Sequence, residues 1–116
     1  MEQKKKIWTL EEAREVFPII YKITDEYYRK VESLQRKMEN ILPEFEQEQI
    51  EEEIQNLIRI WIMKMIDMKV EVKGLWLIDF DHGKGYYCWK YNEPDILYEH
   101  DYESGFRGRR PIKDGI

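Results

Sequence analysis

The sequence predicts an α+β fold, a long antiparallel helical hairpin with a coiled-coil-like tip, packed at its base on a small three-stranded antiparallel β-meander. Three observations carry this. A capping box opens an unbroken apolar period of three and four, a second such period follows Leu42-Pro43, and from Val70 the period changes to two. The 116 residues, of which 42% are hydrophobic and 14% aromatic, make a single domain with a real core. Its parts are helix one over 8–42, helix two over 43–69, the meander over 70–104 and an Arg-rich C-terminal loop over 105–116.

Thr9-Leu10-Glu11-Glu12 starts the first helix, because the Thr9 hydroxyl can accept from the Glu12 amide while the Glu12 carboxylate reaches back to the Thr9 amide. From Leu10 to Ile41 the seam runs through Ala13, Phe17, Ile20, Thr24, Tyr27, Val31, Leu34 and Met38, with Thr24 as its one clearly polar member. Such a run predicts about 33 residues of helix, near 50 Å at roughly 1.5 Å per residue. Pro18 removes one backbone donor and predicts a bend about one turn before it. Helix two carries Ile50, Ile54, Leu57, Trp61, Met65 and Met68 on one face, with Glu44, Glu46 and Glu48 suiting its N-terminus. Helix one is broadly apolar near its start and helix two near its end. Antiparallel packing sets those wide faces side by side as a globular base and leaves a narrow projecting tip.

In the second half, Trp76, Ile78 and Phe80 alternate with Leu77 and Asp79, and Tyr86, Cys88 and Lys90 with Tyr87, Trp89 and Tyr91. Asp81 to Gly85 reads as a hairpin loop whose glycines supply positive φ. Glu93-Pro94-Asp95 reads as a second turn, leading into a third strand over Ile96 to His100.

A net charge of −5, concentrated in 43–73, argues against a general nucleic-acid binder, whose affinity comes from neutralising phosphates. No apolar run is long enough to span a bilayer. Met1 to Lys6 lacks the apolar stretch of a secretory signal, so a cytoplasmic location is expected. The abundance of Glu and Lys is of the kind found in proteins of hot environments. Cys88, the one cysteine, reads as a buried structural thiol.

The positive charge gathers in Gly105 to Lys113, where Arg107, Arg109 and Arg110 flank two glycines and Phe106 with no acid among them. Guanidinium forks on such a turn suit a phosphate or carboxylate, and these three are the anion-binding candidates; the competing reading pairs them with acidic helix two. His100 and Asp79 are the candidate acid/base residues, His100 sharing a strand face with Ile96 and Tyr98. His82 lies in a turn and is expected to be solvated. Asp79, Asp81, His82, His100 and Asp101 would make a metal site only if loop and strand ends converged; they show no recognised ligand spacing, and no metal is expected. No cofactor is indicated by any motif.

Trp8-Thr9-Leu10-Glu11-Glu12-Ala13, Val70-Glu71-Val72-Lys73, Leu77-Ile78-Asp79-Phe80, Cys88-Trp89 and Gly105-Phe106-Arg107-Gly108-Arg109-Arg110-Pro111 together resemble the domain of unknown function 2203 family of small prokaryotic proteins. The likeness runs in order over nearly the whole chain. It implies a shared fold, no established activity and no catalytic residues. Glu99 precedes His100 where the family typically has tryptophan, and the segment between Lys73 and Leu77 is shorter than usual.

Two functions of different class follow from these readings. One is a non-enzymatic interaction protein that self-associates through helix faces the sheet cannot cover. The other is a small enzyme or sensor that binds an anionic metabolite through the Arg-rich loop, with His100 or Asp79 handling a proton.

Overall fold

The computed structural model of the protein describes residues 5–113. Met1 to Lys4 and Asp114 to Ile116, the outer ends of the basic N-terminal segment and of the Arg-rich loop, lie outside the described residues. Two helices pack on one face of a five-stranded antiparallel sheet. The helices are α1 (Leu10–Met38) and α2 (Glu44–Asp67). The strands, in sheet order, are β1 (Glu71–Gly74), β2 (Leu77–Asp81), β3 (Tyr86–Lys90), β4 (Tyr98–His100) and β5 (Arg110–Pro111), with a 3₁₀ turn over Gly105–Gly108.

The capping box forms as expected. Thr9 Oγ1 accepts from the Glu12 amide at 3.1 Å, and the Thr9 amide donates to Glu12 Oε1 at 2.9 Å. From there α1 continues unbroken through Pro18 for 29 residues. It is shorter at both ends than the predicted 8–42. Trp8 stays outside the helix, buried, its amide donating to Asp81 O at 2.7 Å and its indole to Lys69 O at 3.2 Å. Ile41, assigned to the seam by its spacing, falls in the connection between the helices and is fully exposed. The seam also contains the reason for its one polar member. Thr24 Oγ1 accepts from Trp61 Nε1 at 2.9 Å, both side chains fully buried, so an indole N–H that would otherwise be stranded between the helices is satisfied.

Burial along the pair follows the predicted gradient. Phe17, Ile20, Tyr27 and Val31 of α1 and Trp61 and Met65 of α2 enter the core with Ile78, Phe80 and Trp89 of the sheet. Beyond Leu34 no residue of α1 is buried, Met38 being partly so, and Phe45 at the start of α2 is exposed. The molecule is accordingly elongated, 55 × 37 × 26 Å.

The sheet is where the sequence reading needs correction, five strands rather than three. β1 is the first addition, and its hairpin to β2 turns through Leu75 and Trp76, with Trp76 itself at φ 60°. A tryptophan in the left-handed region carries none of the Gly or Asn signature that marks such a turn, so its alternation with Ile78 and Phe80 reads as strand. The cost is offset by burial, since the Trp76 ring meets Trp61 edge-on at 4.9 Å. β5 is the other addition. Part of the Arg-rich stretch is an edge strand, with Glu99 opposite Arg110 and Tyr98 opposite Pro111, and proline is tolerated there because an edge leaves one side of the ladder unpaired. The third predicted strand, Ile96 to His100, shortens to Tyr98–His100, because the Glu93-Pro94-Asp95 turn extends until Ile96 is plugged into the core.

Candidate functional site

Alternation along β2, β3 and β4 sends Ile78, Phe80 and Trp89 toward the helices and places Asp79, Cys88 and His100 on the opposite face. Register then gathers them. Asp79 stands opposite Cys88 in the β2–β3 pair and Tyr86 opposite His100 in the β3–β4 pair. The chain after β4 folds back over this face, and Tyr102, Gly105 and Phe106 roof a cavity of about 250 Å³ whose floor is Asp79, Cys88 and His100 and whose wall includes Lys73 and Tyr86. His100 is therefore buried, as one reading of its strand allowed, but beneath the C-terminal segment rather than in the helix-facing core with Ile96.

The close approach of β4 depends on Gly85. A Cβ there would lie 2.4 Å from His100 O and 3.0 Å from Asp101 Cα.

The hydrogen bonds of His100 define its protonation. Nδ1 is 2.7 Å from the Asp101 carbonyl oxygen, which can only accept, so Nδ1 carries a hydrogen. Nε2 is 2.9 Å from Asp79 Oδ2, and one further proton lies between them, on the ring or on the carboxyl. Burial pushes the Asp79 carboxyl above the usual carboxylate range, while the Cys88 thiol and the His100 ring pull it down without cancelling the rise. Burial, with the Asp79 charge adding to it, pushes the Cys88 thiol up as well, so the thiol is protonated at neutral pH. Asp79 Oδ1 is buried without a hydrogen-bond partner among the described residues. The three ligand-type atoms of Asp79, Cys88 and His100 all lie within 4.8 Å of one another.

The other candidates are placed elsewhere. Asp81 accepts from Tyr102 Oη at 2.7 Å and pairs with Lys5 at 2.5 Å; burial acts to raise its carboxyl, but these partners and the Gly83 amide outweigh it and hold it low. His82, expected to be solvated, is largely covered, with Nε2 3.4 Å from Glu99 Oε1 and its ring 4.5 Å from that of Tyr87. Asp101 accepts from the Glu103 and Ser104 amides and closes the turn after β4. Among the described residues none of the three arginines lines the cavity. Arg109 Nη2 meets both oxygens of Glu93 at 2.6 and 2.7 Å, and its guanidinium carbon lies 4.1 Å from the Tyr98 ring centroid and 4.7 Å from that of Phe106. Its acid is thus in the β3–β4 turn and not on helix two. Arg107 and Arg110 are exposed.

Cys88 and Lys73 are the members that the sequence reading left out of the site. A signal for Cys88 was available. Counting outward from the Asp81–Gly85 loop with Asp81 opposite Tyr86 puts Asp79 opposite Cys88.

The family model described as "Uncharacterized conserved protein (DUF2203)" covers residues 6–112. The chain belongs to the DUF2203 family. That span of the DUF2203 model includes both halves of the hairpin, every strand and all of the cavity's lining residues. No curated protein and no solved structure matches the chain.

Proposed function

We propose that this DUF2203 protein binds a small polar ligand in the cavity between the outer sheet face and the C-terminal turn, as an enzyme or a sensor, with the Asp79–His100 pair as its floor. One observation carries the reading. A buried carboxylate oxygen at the base of a concave space has no nitrogen or oxygen donor among the described residues, only the weakly donating Cys88 thiol beside the carboxylate, and burying such an atom costs about 1–3 kcal/mol unless something meets it. An anionic group entering the mouth would meet Lys73, whose Nζ sits 4.5 Å over the Tyr86 ring and 3.0 Å from Glu71. Arg109, held by Glu93, is better suited to securing the roof. The test is a thermal-shift series on the full chain against small carboxylates, phosphates, nucleotides and divalent metal ions, repeated with Asp79→Asn. At least one member should raise the Tm of the natural protein and leave the variant unmoved. If every compound leaves the natural protein unmoved, the reading fails.

A second reading, self-association, is favoured by a separate observation. Ile60, Met63 and Ile66 form a stripe along α2 with exposures of 43%, 59% and 52%. Pairing of this stripe with a second copy would remove it from water at roughly 25 cal/mol per Å². Light scattering over a wide concentration range should then show an oligomer that Met63→Glu dissociates. A monomer at every concentration would end this reading.

A further inference from the structure

We propose that Asp79, Cys88 and His100 are the protein ligands of a divalent transition-metal ion of the zinc class, with one coordination position open to the cavity. The proposal rests on the cavity being a ligand site and names what its floor binds.

Four features of the geometry lead to it. The donors are one carboxylate oxygen, one sulfur and one imidazole nitrogen, all within 4.8 Å of one another and all fully or nearly fully buried. This mixed set suits a borderline ion such as Zn²⁺ and does not suit Mg²⁺ or Ca²⁺, which take oxygen. Second, the imidazole is already oriented as a ligand. Its Nδ1–H donates to the Asp101 carbonyl at 2.7 Å, the outer hydrogen bond that metal-bound histidines typically make, and so Nε2 is the atom presented to the site.

Third, the spacing is close to that of a coordination sphere. Nε2 and Asp79 Oδ2 are 2.9 Å apart, whereas two donors each about 2.0 Å from a shared tetrahedral ion stand about 3.3 Å apart, so this pair opens by a few tenths of an ångström, and Cys88 Sγ, within 4.8 Å of both, has to stand about 3.5 Å from each. Asp79 Oδ1, without a partner among the described residues, remains as a second oxygen for the ion or its bound water. Fourth, the charge closes. A divalent cation with carboxylate, thiolate and neutral imidazole sums to zero, which removes most of the penalty for burying it. The thiol proton and the proton shared by Asp79 and His100 pass to solvent as the ion enters.

Three protein ligands with a fourth position facing open space is the arrangement of catalytic rather than structural zinc sites. The remaining position faces a volume of about 250 Å³, room for a water or a small ligand bound through the ion. No part of this was visible as a spacing motif, because the three ligands come from three different strands.

The experiment is titration of the chelator-treated full chain with Co²⁺ as an optical probe and with Zn²⁺ by calorimetry. The expected result is one ion per chain, with tetrahedral d–d absorption and a thiolate-to-cobalt charge-transfer band in the near ultraviolet. Cys88→Ser should abolish that band, and His100→Gln should weaken Zn²⁺ binding by at least about 100-fold, beyond the 10–100-fold typical of outer-sphere partners. A natural protein that shows no charge-transfer band, or that binds Zn²⁺ equally well after both substitutions, overturns the proposal whether or not either variant folds. If neither metal binds but small organic ligands raise the Tm through Asp79, the metal is wrong and the cavity reading survives. If nothing binds at all, both fall.

Discussion

Trp61→Ala is expected to cost about 3–5 kcal/mol, the range for removing a buried aromatic side chain, and to lower the Tm by more than about 12 °C at roughly 4 °C per kcal/mol. Trp61 has no exposure, sits edge-on to Trp76 at 4.9 Å and spans the interface of the two helices with its indole on Thr24. A domain this size is stable by only about 5–15 kcal/mol, so the loss takes a large share of the total. The indole hydrogen bond can be separated from the packing. Thr24→Val alone leaves a buried N–H unsatisfied, at about 1–3 kcal/mol, whereas Trp61→Phe combined with Thr24→Val should cost less than the sum of the two single changes. Circular dichroism melts of the four proteins measure this directly. Additive costs would show that the hydrogen bond between the helices contributes no coupling.

The second large effect is at Gly85. Substitution by alanine should destabilise the protein by about 1–3 kcal/mol and move His100 away from Asp79, because the new Cβ would meet backbone atoms of His100 and Asp101 that cannot swing aside as a side chain could. The expected signature is double, a lowered Tm together with loss of whatever ligand binding Asp79 supports in the natural protein. Unchanged stability would mean that β3 and β4 separate at little cost. The close approach at Gly85 would then not be what seats His100.

The residues of the candidate site were half legible in advance. His100 and Asp79 were selected as proton-handling candidates, and the structure brings them to 2.9 Å. Arg109 was grouped with them by the concentration of positive charge around it, yet it lies outside the cavity because Glu93 and two aromatic rings hold it elsewhere. Charge along a chain says nothing about which acid lies across a turn. Cys88 was set aside as structural for the opposite reason. Its burial was expected, but burial alone does not reveal that the neighbouring strand carries a carboxylate.

By itself the sequence determined the helices and the two faces of the sheet, because capping, the three-four apolar period and the alternation of two are properties of a few consecutive residues and of the backbone that carries them. Thr9 to Glu12 and the residues from Leu10 to Leu34 show this for α1, and Ile78, Phe80 and Trp89 show it for the core face. Only the tertiary structure decided that Leu75 and Trp76 turn a hairpin, that Arg110 and Pro111 form an edge strand, and that Asp79, Cys88 and His100 share one buried floor. Those outcomes depend on register and on burial between segments distant in sequence, such as Trp76 against Tyr28 and Trp61, where local preference is overruled by what the rest of the chain packs against.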